Sequence, residues 1–173
     1  MGAHIRRVPV SGTWVRHVPA GGRALGTGRR GTAGRFHRPG EIALYLADSM
    51  ETAWAEWYRA LAERGRSPAD DLPRDVYRIS VRLRDVVDVS AAAGRKGLGL
   101  PAQMRPAASQ RPAFQELAAT LRAEEAQGVL YRSAARSRAP CLCVFEPGLS
   151  MLRIEGEPIR VLSPPPPPRG LRT

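Results

Sequence analysis

Apolar and polar residues alternate along several short stretches of this chain, and a period of two residues predicts β-strands. The clearest stretch is 76–83 (VYRISVRL), which alternates over its whole length, and 13–18 (TWVRHV) repeats the pattern. The compact apolar run 42–47 (IALYLA) is typical of a buried strand. Three more short strands are predicted, at 129–132, at 142–145, and at either 151–154 or 159–162.

A helical period follows the apolar run at 42–47. Asp48, with Glu51 three residues later, predicts an N-cap, and Gly65 predicts the end of the helix after Arg64. Its apolar stripe consists of Trp54, Trp57, Tyr58 and Leu61.

A second helix is predicted to begin at Pro112, to continue to Ala126 and to end at Gly128. The preceding residues, 91–111, are rich in Gly, Ala, Pro and Gln and have no clean period. We interpret them as a loop with at most one short helix.

Strands outnumber helices and do not alternate regularly with them, which disfavours a doubly wound parallel sheet. The pattern therefore predicts one α+β domain, residues 1–163, with a mostly antiparallel sheet. Residues 164–173 begin with five prolines and continue with two arginines. Such a segment predicts a stiff, extended, basic tail outside the core.

Charge changes this picture by pointing to an anionic partner. The net charge is +11, and the residues before Glu41 include eight arginines and no acid. The same block contains the glycine-rich stretch 21–34, where arginines could grip phosphates that approach the backbone closely. A solvated basic arm without a ligand is the alternative.

Cysteine usage and hydropathy exclude other classes. Cys141 and Cys143 lie one residue apart in a predicted strand, so they share a face that we expect to pack inward, and no metal-ligand spacing occurs. No stretch is long and apolar enough for a membrane span. The first residues have no apolar run after their arginines, so we expect a cytoplasmic protein without a secretory signal.

Three segments together resemble the RES domain family, named for its Arg, Glu and Ser. They are 34–40 (GRFHRPG), 44–56 (LYLADSMETAWAE) and 128–136 (GVLYRSAAR), followed by the strand-like CVF at 143–145. No single piece is specific, but the three occur in order with compatible spacing. His37 departs from the pattern, which usually has Asn after the aromatic residue.

The resemblance implies an ADP-ribosyltransferase-like fold that acts on NAD⁺ as substrate, without a metal. Members of the family look like toxins of bacterial toxin–antitoxin pairs that cleave the nicotinamide–ribose bond by phosphorolysis or hydrolysis. Inorganic phosphate is then a possible co-substrate, and phosphorolysis would release nicotinamide and ADP-ribose-1″-phosphate. The implied partner is an antitoxin that covers the active site, and nucleic acid would be bound only through that antitoxin.

Glu56 is the residue on which the chemistry would depend. Cleavage of the nicotinamide bond develops positive charge on the ribose, which a fixed carboxylate stabilises in the transition state. Glu56 lies away from the centre of the apolar stripe, beside Ala53 and Ala60. A solvated helix glutamate is the alternative, although the two alanines leave room for a ligand.

Four further residues complete the expected site. Arg35 follows a glycine and suits a bidentate grip on the pyrophosphate or the nicotinamide ribose, with Arg16 as a second arginine. Tyr45 could stack on the nicotinamide, and Ser133 could hydrogen-bond its ribose or carboxamide. Ordinary surface arginines and a core tyrosine are the alternatives.

Two other functions remain open. The same fold could transfer ADP-ribose to a protein side chain, with the acceptor selected by loops such as 91–111. A basic nucleic-acid-binding module fits the charge, but the chain has no known nucleic-acid-binding signature and only 6% aromatic residues.

Overall fold

The computed structural model describes residues 5–27, 32–104 and 108–172. Within these ranges the chain forms six strands and three α-helices. Their bounds are β1 Arg7–Pro19, β2 Leu44–Ala47, α1 Met50–Glu63, β3 Arg74–Asp88, α2 Ala92–Gly97, α3 Arg111–Ala123, β4 Gly128–Arg132, β5 Pro140–Val144 and β6 Leu152–Val161. Short 3₁₀ turns occupy Pro68–Asp71, Ala108–Gln110 and Glu146–Met151.

The strands form a single sheet in the order β1-β2-β5-β4-β3-β6, and β1 also pairs with β3. Every strand pair is antiparallel except β3 with β4, so the expected mostly antiparallel sheet is confirmed. The ladder between β1 and β3 runs from Arg7 opposite Val87 to Pro19 opposite Arg74. Because β1 pairs with both β2 and β3, the pairing closes on itself and leaves β6 at an edge.

β5 lies at the centre of the core and is buried on both faces. Cys141 and Cys143 pack on the side of α3, whereas Leu142 and Val144 belong to the cluster formed by side chains of β1, β2 and β3. Both cysteines are buried free thiols, as predicted from their shared face. Burial on both faces explains why this strand is continuously apolar.

Helix α1 packs across the ends of β1 and β3. Its Trp54, Trp57 and Leu61 form a cluster with Val15 and Val76. This packing confirms the predicted apolar stripe. The neighbouring face of the helix borders a cleft.

The predicted N-cap of α1 is wrong by one residue. Ser49, not Asp48, is the N-cap, and its Oγ accepts a hydrogen bond from the Thr52 amide at 3.3 Å. Both residue types make good caps, so propensity alone does not separate adjacent candidates. The end of the helix at Glu63 agrees with the prediction.

The second predicted helix begins close to the expected residue but ends early. α3 stops at Ala123, Glu125 adopts a φ of 58°, and Gly128 begins β4 rather than ending the helix. A Cβ on Gly128 would lie 2.4 Å from the Cys143 carbonyl oxygen, so this glycine serves close strand packing. The two alternative last strands are one strand, β6, which passes through Gly156 at a φ of 66°.

The stretch predicted as a loop with at most one short helix agrees with expectation. Residues 91–111 contain the short helix α2, whose buried Arg95 donates hydrogen bonds to the carbonyls of Val89, Ser90, Pro101 and Ala102. After β6, residues 164–168 have no regular hydrogen-bonded structure. In the described part of the chain, no helix has the length and apolar character to cross a membrane.

Candidate functional site

A cleft of about 1130 Å³ opens between α1, the ends of β1 and β2, and residues 32–35. Arginine is the dominant charged residue of its walls, so the cleft suits an anionic ligand. The arginines are Arg16, Arg35, Arg59, Arg64, Arg66, Arg74 and Arg111, and the acids are Glu56, Glu63 and Asp71.

The Glu56 side chain lines the cleft, and each of its carboxylate oxygens accepts more than one hydrogen bond. Oε1 accepts from Ser133 Oγ at 2.5 Å and from the amides of Ala134 at 3.0 Å and Ala135 at 3.3 Å. Oε2 accepts from Arg59 Nε at 3.1 Å and Nη2 at 3.0 Å. The orientation of the carboxylate is therefore set by the protein before any ligand binds.

These donors also decide the charge of Glu56. Burial would raise its pKa, but the Arg59 guanidinium and the hydrogen bonds from Ser133 and Ala135 outweigh burial, and the pKa lies below its ordinary value. The side chain keeps 26% of its surface exposed. An ionised carboxylate thus faces the cleft.

The position of Glu56 on α1 explains why periodicity argued against it. Ala53 and Ala60, its neighbours on the helix surface, also line the cleft. α1 therefore presents one face to the core through Trp54 and an adjacent face to the cleft, and Trp57 and Leu61 belong to both the core cluster and the cleft lining.

Ser133 is 2% exposed and does not itself line the cleft. Its hydroxyl donates to Glu56 and accepts from the amides of Ala135 at 3.1 Å and Arg136 at 2.9 Å. All of its hydrogen-bonding capacity is used within the protein. A direct contact with the nicotinamide ribose stays a prediction, whereas the observed contacts make Ser133 a positioning residue for the carboxylate.

Arg35 lines the cleft, as expected for a ligand-binding residue. Its guanidinium lies over the Phe114 ring, 5.2 Å from the ring centroid. Burial lowers the pKa of Arg35, and Tyr131 and Glu56 act in the opposite direction. The group remains a cation, and its guanidinium is held by a cation–π contact with Phe114.

Tyr45 holds the turn that carries Arg35. Its hydroxyl accepts from the Phe36 amide at 3.0 Å and lies 2.8 Å from Nδ1 of His37. The turn is closed by the Gly34 amide, which donates to the His37 carbonyl at 3.0 Å. A Cβ on Gly34 would lie 2.7 Å from the Tyr45 hydroxyl, so only glycine fits there.

This arrangement gives His37 a function although it departs from the family pattern. Because the Tyr45 hydroxyl already accepts from Phe36, its proton is available to Nδ1 of a neutral His37. Burial, and then Arg122, lower the pKa of His37, which favours this neutral form. Tyr45 also lines the cleft, so stacking on a nicotinamide ring stays a prediction.

Arg16 also lines the cleft. Its Nη2 donates to the Gly26 carbonyl at 2.8 Å, whereas Nη1 is buried and has no hydrogen-bond acceptor among the described residues. Burial, and then the neighbouring Arg74, lower the pKa of Arg16 to about 10. A buried cation with an unused donor is costly unless a ligand supplies the acceptor.

Arg74 and His17 form a supporting network beside Arg16 that sequence reasoning missed. Arg74 Nε donates to His17 Nδ1 at 2.7 Å and its Nη1 to Asp71 at 2.5 Å. His17 stacks on Trp54 with ring centroids 4.5 Å apart. Burial and the Arg74 charge lower the pKa of His17 to about 3, so it is neutral. No local sequence signal joins these residues, which come from different elements.

Arg59 was also missed, but a local signal exists for it. Glu56, Arg59 and Glu63 have the i, i+3 and i, i+4 spacing of helix ion pairs, and Arg59 bonds to both acids.

Among the residues that the structure describes, no group of His, Cys, Asp or Glu side chains could hold a metal ion.

Comparison with known proteins adds two findings. The family model described as RES domain matches residues 4–162. A chain of the crystal structure of the M. tuberculosis MbcT–MbcA toxin–antitoxin complex matches with a TM-score of 0.75 at 23% identity, over 90% of this chain and 87% of that one. This match confirms the expected ADP-ribosyltransferase-like α+β fold. No curated protein matches the sequence.

Proposed function

This chain belongs to the RES domain family, and from that premise we propose that it is the toxin of a toxin–antitoxin pair that binds NAD⁺ and cleaves the nicotinamide–ribose bond. The observation that carries the proposal is an ionised, fully oriented Glu56 carboxylate in a cleft otherwise rich in arginine. A fixed anion in a cleft where arginines outnumber the acids suits a substrate that is anionic at its phosphates and becomes cationic at one carbon.

The chemistry follows from charge. The C–N bond breaks with its electron pair leaving on nicotinamide, and positive charge develops on the ribose. Glu56, held by Ser133 and Arg59, stabilises that charge without having to reorient. An oxygen of phosphate or water then forms the new bond to the same carbon, giving ADP-ribose-1″-phosphate or ADP-ribose.

The arginines of the cleft would bind the pyrophosphate of the substrate. Arg35 and Arg16 line the cleft from different parts of the chain, and Arg16 Nη1 is buried without an acceptor in the part of the chain that the structure describes. A pyrophosphate oxygen would supply the missing acceptor and displace no protein contact. The cleft volume of about 1130 Å³ is at the upper end for small-molecule sites, as a dinucleotide requires.

The proposed partner is an antitoxin that covers this cleft. The structural neighbour is part of a toxin–antitoxin complex, and the arginines of the cleft would favour an acidic covering segment. NAD⁺ is a cytoplasmic metabolite, so we place the protein in the cytoplasm.

Nicotinamide release from NAD⁺ by the purified chain, with and without inorganic phosphate, tests the proposal. We expect release by the native protein and loss of release in Glu56→Gln. Glu116→Gln is the matched control, because Glu116 is an exposed glutamate on α3 that pairs with Arg38 outside the cleft. Absence of release by the native protein, or equal release by Glu56→Gln, contradicts the proposal.

The same assay separates the possible acceptors. Dependence on phosphate indicates phosphorolysis, and release without phosphate indicates hydrolysis. Labelled ADP-ribose that appears on a cellular protein indicates protein ADP-ribosylation instead.

A further inference from the structure

The last ten described residues, 163–172, follow the stretch that matches the RES family model. Along them every third residue is half-buried, namely Pro165, Pro168 and Leu171, and the residues between are exposed. A polyproline II helix has three residues per turn, so this period indicates that one side of the segment lies against the protein. The tail is therefore docked on the domain along one of its sides.

The tail first contacts α1. The Tyr58 hydroxyl donates a hydrogen bond to the carbonyl of Pro165. Tyr58 follows Glu56 by two residues, which places it about 200° around the helix from the carboxylate. The tail therefore contacts the side of α1 that faces away from the cleft.

The tail then turns toward the loop that follows β4. The Leu171 amide donates to the Pro168 carbonyl at 3.2 Å, and Gly170 within this turn has a φ of 72°. Leu171 pairs with Arg136, and the Arg172 amide donates to the Ala135 carbonyl at 2.8 Å.

Ala135 connects the tail to the site. Its amide donates to Glu56 Oε1 at 3.3 Å, and its carbonyl accepts from Arg172 at 2.8 Å. One residue of the loop 133–136 thus bonds the carboxylate on one side and the tail on the other. We propose that residues 163–172 are a positioning strap for Glu56, which holds the loop 133–136 against α1.

The strap is not needed for the core. None of its residues belongs to the three hydrophobic clusters. A second connection between the loop and α1 remains without it, because Arg136 bonds Thr52 Oγ1 at 3.1 Å and pairs with Glu51 at 2.5 Å. Loss of the strap therefore loosens the loop without unfolding the domain.

The effect of the strap on a reaction rests on the proposed function, but its effect on Glu56 does not. A loose loop would lose the hydrogen bonds from the Ala134 and Ala135 amides to the carboxylate. These bonds favour the ionised form, so the pKa of Glu56 rises when they weaken.

The test uses two matched point variants of the full chain. Arg172→Pro removes the amide that bonds Ala135. Arg169→Pro makes the same chemical change at the second residue of the 168–171 turn, where proline is favoured. We expect Arg172→Pro to lower kcat about five- to tenfold with KM unchanged, and Arg169→Pro to keep the native kcat. A chain that ends at Leu162 is expected to lose at least as much kcat while its melting temperature stays near that of the native protein.

Nuclear magnetic resonance titration of the Glu56 carboxyl gives a readout that needs no substrate. We expect its pKa to rise in Arg172→Pro and to stay at the native value in Arg169→Pro. The strap is overturned if Arg172→Pro leaves this pKa unchanged, if the two proline variants behave alike, or if KM changes instead of kcat. If the native protein releases no nicotinamide, the proposed function fails and the titration alone decides on the strap.

Discussion

Two charged residues of the cleft, Glu56 and Arg16, differ in how completely the protein satisfies their hydrogen-bonding groups. Each oxygen of Glu56 accepts at least two hydrogen bonds, from a serine, two backbone amides and an arginine. Arg16 has one buried nitrogen that lacks an acceptor among the described residues. The Glu56 carboxylate is thus held in place before a substrate arrives, whereas we expect a ligand to supply the acceptor for Arg16.

This difference suggests a division of labour between rate and affinity. A group whose partners are all in place resists reorientation, which favours stabilisation of a transition state. A buried cation that lacks an acceptor favours tight binding of an anion, because binding removes an existing cost. Substitutions at Glu56 and at Arg16 should separate these two roles.

The largest effect is expected from Glu56→Gln, which keeps the size of the side chain but removes its charge. We expect kcat to fall by about 10²- to 10³-fold, a typical loss for one transition-state electrostatic contact. Calorimetric affinity for NAD⁺ should stay within a few-fold of the native value. A large loss of affinity with an unchanged kcat would reverse the assigned roles.

Ser133→Ala should have the next largest effect. It removes one hydrogen bond to the charged Glu56 and leaves the Ala135 and Arg136 amides without the serine acceptor. We expect a ten- to hundredfold lower kcat, in keeping with the free energy that a hydrogen bond to a charged group contributes.

The same variant makes a prediction for pH dependence. Glu56 has a lowered pKa in the native fold, so its ionised form is present at neutral pH and is lost only as the pH falls below the ordinary glutamate range. Without Ser133 the pKa rises, and the acid limb of the kcat profile should move to higher pH. An unchanged acid limb would show that Ser133 does not act through the carboxylate.

Arg16→Met should affect binding rather than chemistry. We expect KM for NAD⁺ to rise about tenfold with kcat close to native, because a phosphate contact is lost. The melting temperature should stay the same or increase, since a buried, partly unsatisfied cation is replaced by an apolar chain. A clear drop in melting temperature would mean that Arg16 is structural.

The smallest effect is expected from Tyr45→Phe. The ring remains, but the hydroxyl that bonds the Phe36 amide and His37 is lost. We expect a stability loss of about 1 kcal/mol by thermal unfolding. KM should rise a few-fold because the turn that carries Arg35 loosens. A fall in kcat as large as that of Ser133→Ala would place Tyr45 in the chemistry instead.

Part of the fold was predictable because it depends on the local alternation of apolar and polar residues. The alternation at Cys141 and Cys143 correctly placed both thiols inward, and the tryptophans of α1 correctly marked its core face. Boundaries were less predictable. Ser49 and Asp48 are equally good caps, so the sequence could not choose between them. Gly128 does not end a helix; it is a glycine because the neighbouring strand leaves no room for a side chain.

The candidate site was predictable only through the ordered set of motifs around Arg35, Glu56 and Ser133. Periodicity alone placed Glu56 beside the apolar stripe of α1. It gave no reason to expect a hydrogen bond with Ser133, 77 residues away. Arg74 and His17 had no local signal, because their network depends on how β1 and β3 pair.

The sequence by itself determined the α+β class, the excess of positive charge and the apolar faces, because charge and period can be read from the residues alone. Only the tertiary structure decided that Ser133 holds Glu56, that Arg16 has a donor without an acceptor among the described residues, and that the tail returns to Ala135. These features depend on contacts between segments that are far apart in the sequence. Such contacts, and not the local sequence, decide which polar groups are buried and which are hydrogen-bonded.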